Sequence, residues 1–316
     1  MTSSYNYWQH GTMLTYPINK PISPHCMKKS FTILTALLLG IHAVNAEKIS
    51  ILLVDGQNNH KWQATSPVMK AGLEETGRFV VDVSTTPAKG KKEGWDKWNP
   101  DFSKYDAVLS NYNGQMWPEN VQKNLEKYVN DGGGLIIVHA ANNSFTNWKE
   151  YNKMIGVGGW GGRNETHGPY IRLRYGKFIM DHAKGRGGSH GPQHEFVVTT
   201  RNTEHPITKG LPTKWLHAKD ELYDSLRGPA ENVTVLATAF STKSNEHEPI
   251  VMTIDYGKGR VFHTPMGHAD YSMKCVGFLT YLARGSEWAA TGKVTFEVPK
   301  DFPTEAKVLA HDPTSK

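Results

Sequence analysis

Residues 134–141 read Gly-Leu-Ile-Ile-Val-His-Ala-Ala. Asp131-Gly132-Gly133 before them is a helix stop, and the apolar run Leu135 to Val138 ends abruptly at His139 and two alanines. A short apolar run without alternation is a strand buried on both faces, as inside a parallel sheet. The same pattern occurs upstream in Lys48 to Val54, KISILLV, bounded by Asp55-Gly56. Phe79 to Val83 and Ala107 to Ser110 read as two further strands. Between them lie helical stretches. Thr65 to Thr76 carries Ser66-Pro67 near its start and Gly77 after its end, and Pro118-Glu119 opens a helix to Asn130 with Val121, Leu125, Tyr128 and Val129 on one side. Strand and helix alternate with short connections, which predicts an α/β fold with a doubly wound, mostly parallel sheet flanked by helices.

Beyond residue 155 the alternation breaks. Residues 156–192 are rich in Gly and polar residues and carry His167, His182 and His190. A structureless stretch of this length inside a domain is usually functional or a lid. Val233 to Ala239, Ile250 to Tyr256 and Arg260 to Thr264 follow as strands, the last two joined by the tight turn Gly257-Lys258-Gly259. Lys274 to Ala283 reads as a closing helix, residues 47–298 as one domain, and 299–316 as a polar tail.

The N-terminal region has a different character. Met27-Lys28-Lys29, the apolar run Phe31 to Ile41 and Ala43-Val44-Asn45-Ala46 form the basic, apolar and small-residue segments of a secretory signal peptide over 27–46. The run is too short to span a bilayer, and residues 1–26 read as an over-extended start. The expectation is a bacterial periplasmic or secreted protein without a stable membrane anchor. Lys20, Lys28 and Lys29 are the only charged residues among the first 46, so the remainder carries 33 basic against 30 acidic residues, a formal charge of +3. Without a basic cluster, nucleic acid is not the expected partner. Cys275 is the only cysteine left after residue 46, so no internal disulfide forms, and it reads as a core residue of a helix.

In open α/β sheets ligands bind outside the carboxyl ends of the strands. The residues expected there are Asp55, Gln57, Asn58, Asn59 and His60 after the first strand, and Asn111, Asn113 and Gln115 after the third. His139, Asn142 and Asn143 follow the fourth, and His263, His268 and Asp270 the last. His139 stands where a nucleophile elbow would place Ser or Cys. An imidazole there forms no ordinary acyl intermediate but binds a metal or moves a proton. Asp220-Glu221-Leu222-Tyr223, after His217, is the only acidic pair beside an expected strand. A carboxylate with two imidazoles suits a divalent metal with an open position, although no HExxH or CxxC spacing accompanies it, and a surface pair capping a turn is the alternative. Trp62, Trp95, Trp98, Trp117, Trp148 and Trp160 fall mostly in loops. Such rings pack on the CH faces of sugars, or anchor long loops to the body.

His205-Pro206-Ile207-Thr208-Lys209-Gly210-Leu211-Pro212, Asp220 to Tyr223, Tyr256 to Phe262, Gly267-His268, Arg284-Gly285 and Trp288-Ala289 resemble the ThuA-like, or trehalose-utilisation, family. The resemblance spans roughly residues 48–292. It implies a fold similar to flavodoxin and to class I glutamine amidotransferases, with His139 near the position of the missing amidotransferase Cys. It further implies an enzyme of carbohydrate metabolism, a hydrolase or lyase of glycosides or of oxidised 3-keto-glycosides. In that reading His139, Glu221 and His268 hold a divalent metal such as zinc, and His60 joins these three as a catalytic group. Asn58, Asn111, Asn142, His190, His194 and Trp160 contact a small carbohydrate, and no nucleotide cofactor is expected. A non-catalytic sugar-binding module on the same fold is the second reading. A residual amidotransferase-like hydrolase is disfavoured by the absent nucleophile.

Overall fold

The four apolar runs form adjacent parallel strands: β1 (Ile49–Asp55), β2 (Phe79–Thr85), β3 (Ala107–Ser110) and β4 (Gly134–Val138). The computed structural model describes residues 47–315, so the signal-peptide reading falls outside the described residues. The connecting helices are α1 (Trp62–Glu75), α2 (Lys92–Lys97) and α3 (Glu119–Asn130), and α4 (Lys149–Ile155) follows β4. Alternation along each strand feeds two separate cores. Ile51, Leu53, Leu109, Ile136 and Val138 pack with Val68, Met69 and Leu73 of α1. Leu52, Val54, Val108, Leu135 and Ile137 pack with Val121, Leu125 and Val129 of α3. Burying both faces explains why these strands lack a polar side; each fully buried Leu, Ile or Val contributes about 1.5–3 kcal/mol.

The Gly-rich segment has structure of its own. It holds the hairpin β5 (Tyr170–Arg174) and β6 (Lys177–Asp181) and the short strand β7 (Ser189–His190). Two strands whose bounds the sequence does not mark follow, β8 (His194–Thr200) and β9 (Lys214–Asp220), and then the short β10 (Tyr223–Asp224). The remaining strands are β11 (Val233–Ser241), β12 (Glu246–Tyr256) and β13 (Gly259–Thr264), and the chain continues through α5 (Asp270–Met273) and α6 (Val276–Thr291). Cys275 caps α6 and is buried.

The main sheet has the order β2-β1-β3-β4-β13-β12-β11-β8-β9. Strands β2 through β13 in that order run parallel, and the far half is antiparallel because hairpin connections build it. Alternating direction across the antiparallel half returns β9 to the sense of β4 and β13. The carboxyl ends of β1, β4, β9 and β13 therefore share one edge. In a flat sheet β9 would lie four strand spacings, roughly 19 Å, from β13. Yet Gly267, just past β13, donates its N–H to Asp220 at the end of β9 at 2.7 Å. The antiparallel half curls around α5 and α6, with the Trp215 ring of β9 against Gly277, where an added Cβ would sit 2.2 Å from the indole.

The C-terminal residues are docked. Leu216 donates to the carbonyl of Thr304, Val276 to that of Leu309, and His311 Nε2 lies 2.7 Å from Glu75. Among the described residues no helix is long and apolar enough to cross a membrane.

Candidate metal centre

His60 leaves the loop after β1. Asn58 holds that loop: its Oδ1 accepts the His60 N–H at 3.0 Å and its amide donates to the Asn111 carbonyl at 3.2 Å. His139 opens a 3-10 turn at the end of β4 with φ of 47°, a left-handed conformation that L-residues adopt at a cost. The strained turn points the imidazole inward, where Tyr223 lies over it with ring centroids 4.2 Å apart. His139 Nδ1 is 2.7 Å from the Pro265 carbonyl. A carbonyl only accepts, so Nδ1 carries the hydrogen and Nε2 keeps a free lone pair. Glu221 follows β9, and His268 follows β13.

Four donors meet at this edge. One ligand atom from each of His60, His139, Glu221 and His268 lies within 4.8 Å of every other. His60 Nε2 and His139 Nε2 are 3.2 Å apart. Glu221 Oε2 is 3.0 Å from His268 Nδ1, 3.6 Å from His60 Nε2 and 3.8 Å from His139 Nε2. The edge of a tetrahedron with bonds of 2.0–2.2 Å is roughly 3.4 Å, and these separations bracket it. The 3.0 Å approach of Glu221 to His268 is an ion pair whenever that imidazole is protonated. Donor chemistry and spacing agree: these four residues can hold a metal ion.

Burial and neighbouring charges act differently on the four donors. Burial, followed by repulsion from His139 and His268, lowers His60 to about 3. Burial also pushes His139 down, so both imidazoles are neutral at pH 7. The Glu221 carboxylate raises His268. Burial opposes charge on Glu221, but His268 and the neighbouring imidazoles outweigh it and hold its carboxyl below the ordinary range.

An open pocket of about 470 Å³ lies over this cluster. Asn59, Asn113, Asn143, Trp160, His190 and Tyr223 line it together with His60, Glu221 and His268. Trp160 is held at its mouth by a left-handed backbone (φ 52°) and by its N–H donating to the Gly187 carbonyl at 2.7 Å. Gly188 packs beneath: a Cβ there would meet Gly159 Cα at 2.6 Å and the indole at 2.7 Å. His190 Nδ1 is 2.8 Å from the Gly191 carbonyl, so its Nε2 is the free acceptor, 3.8 Å from Glu221 Oε1.

Sequence reasoning placed His139, Glu221 and His268 together as ligands, and the structure brings them together. It adds His60, expected as a catalytic group and not as a ligand, to the donor group. The acidic pair is no surface cap, since Asp220 and Glu221 are both buried. His190 and Trp160 line the pocket, whereas four other expected contacts do not. Asn111 is buried and donates to Thr65 and Ser66. Asn142 is buried against His263, and Asn58 serves its loop. His194 is exposed at the start of β8 and packs on Phe196. Amides one or two positions further along, Asn59, Asn113 and Asn143, take the pocket positions. Of the six tryptophans only Trp160 reaches the pocket. Trp95, Trp98, Trp117 and Trp148 form an aromatic cluster with Phe102 and Phe145 that anchors loops. Tyr223 was visible only as part of the Asp-Glu-Leu-Tyr motif.

Fold and site define an α/β protein with a candidate metal centre at the carboxyl edge of its sheet. The chain belongs to the ThuA family, described as trehalose utilisation, whose model matches residues 50–289. It is similar to a ThuA-like protein of Parabacteroides merdae ATCC 43184, with 48% identity and a TM-score of 0.82 over 84% of this chain and 99% of that one. A ThuA-like protein of Bacteroides uniformis ATCC 8492 shares 19% identity at a TM-score of 0.49, covering 85% of this chain and 100% of the other. No curated protein matches the chain.

Proposed function

We propose that this protein is an exported, zinc-dependent enzyme that cleaves a glycoside, with a 3-keto-glycoside as the substrate. The observation that carries the reading is the convergence of three imidazoles and one carboxylate beneath a pocket lined by amides and an indole. Three nitrogens and one oxygen favour zinc over the oxygen-seeking magnesium or calcium. When bound there, such an ion supplies Lewis acidity that stabilises negative charge on a neighbouring oxygen. Export rests on the signal-peptide pattern over residues 27–46.

The chain's own residues supply the rest. Trp160 offers a face for the CH side of a sugar ring. Asn59, Asn113 and Asn143 offer amides for its hydroxyls. In a 3-keto-glycoside, the C–H between the carbonyl and the anomeric carbon is acidic. The free Nε2 of His190 accepts that proton. A carbon–carbon double bond forms as the glycosidic C–O bond breaks, and the departing oxygen takes a proton to leave as an alcohol. No oxidant or reductant is required.

The test is metal analysis of purified protein, followed by turnover and binding assays with methyl glycosides and disaccharides, each plain and 3-keto. Zinc near one equivalent with cleavage of the keto series supports the proposal. Trp160→Ala is expected to weaken sugar binding at least tenfold while leaving zinc content unchanged. Sugar binding without turnover by zinc-loaded protein would make this a binding module instead.

A further inference from the structure

We infer that Asp220 is the positioning residue of this centre, holding two of its ligands, Glu221 and His268, in register without entering the donor group. The inference rests on the metal reading and concerns how that geometry is built. Asp220 is fully buried and is absent from the four converging donors. Both of its oxygens are spent on hydrogen bonds. Oδ1 accepts the N–H of Glu221 at 2.8 Å and that of His268 at 2.9 Å. Oδ2 accepts the N–H of Gly267 at 2.7 Å and Nε2 of His217 at 2.8 Å.

One carboxylate thus fixes the backbone of two ligand residues from strands that are not neighbours. Glu221 belongs to the end of β9 and His268 to the loop after β13, four places apart in the sheet. Three backbone donors reach it from those two segments, and the buried imidazole of His217 holds it from below. Outer partners of this kind normally set the affinity of a metal site by 10–100-fold. An amide cannot substitute. In Asp220→Asn the new NH2 would face either the Gly267 N–H and His217 or the N–H groups of Glu221 and His268, a donor against donors in each case.

The experiment uses the full chain and zinc ion alone. Zinc affinity is measured by competition with a chromogenic chelator, well below the melting temperature, with circular dichroism to establish folding. Asp220→Asn is expected to lose zinc affinity by about 10–100-fold. Leu125→Ala, a core change on α3 that lowers the melting temperature without touching the centre, is expected to keep wild-type affinity. Should Asp220→Asn not fold, His217→Leu asks the same question. It removes one of the four bonds and is expected to weaken zinc binding less, with His217→Gln restoring it. Asp220→Asn binding zinc within threefold of wild type would overturn the inference, as would Leu125→Ala losing as much affinity. A wild type that binds no zinc would sink the metal reading itself, and the role of Asp220 with it.

Discussion

His139→Ala separates a ligand from a packing residue. The imidazole is buried, donates to the Pro265 carbonyl and lies under Tyr223. Truncation removes one hydrogen bond, with a net cost of about 0.5–1.5 kcal/mol, and leaves a small void beside the phenol. Against this, Nε2 of His60 loses a neighbour at 3.2 Å that withholds charge from it. The metal-free mutant should therefore be about 1–2 kcal/mol less stable, a fall of roughly 2–8 °C for a domain of this size. The backbone strain at φ 47° is common to His and Ala and cancels. His139→Gly relieves it and should recover about 1 kcal/mol relative to Ala. Zinc gives the larger signal. At free zinc a hundred times Kd, wild type gains about 2.7 kcal/mol. Losing one of four donors costs at least the hundredfold that an outer partner can cost. The same zinc then stabilises the mutant by only about 0.4 kcal/mol. Thermal melts of both proteins, with and without zinc, measure all of this. A zinc-induced shift in His139→Ala equal to that of wild type would show that His139 packs and does not ligate.

Two further outcomes follow from particular residues. His217 is raised to about 9 against the opposition of burial, through its bond to Asp220, so its contribution is fully present below pH 6.5 and is lost as pH rises through about 9. Metal-free wild type should lose stability over that interval in urea titrations, and His217→Gln should show a flatter profile there; parallel profiles would refute the pairing. Protein recovered from the exporting host should begin near Glu47 on N-terminal sequencing, and intact residues 1–46 on the mature protein would refute export.

The buried strands were legible because burial on both faces leaves a continuous apolar run, as in KISILLV and LIIV, and turn residues bound each run. β8 and β9 were not. His194 to Thr200 mixes exposed, buried and half-buried positions, and Lys214 to Asp220 carries two lysines and a histidine. Their pairing with β11 and with each other, not local composition, makes them strands. The same limit applied to the aromatics. A tryptophan in a loop reads identically whether it faces a ligand or a neighbouring ring, and four of the six face rings.

By itself, the sequence placed His60, His139 and His268 after the carboxyl ends of strands in a mostly parallel sheet, since the direction of each strand along the chain follows from apolar runs and short crossovers. It also marked Asp220-Glu221 as the one acidic pair beside them. Only the tertiary structure decided which side chains meet. The curl that returns β9 to β13, locked by the hydrogen bonds of Asp220, sets Glu221 against the histidines. Single-residue differences in loop register decide that Asn59, Asn113 and Asn143 face the pocket while Asn58, Asn111 and Asn142 face the protein. Strand direction is encoded along the chain; the distance between two strand ends depends on every strand packed between them.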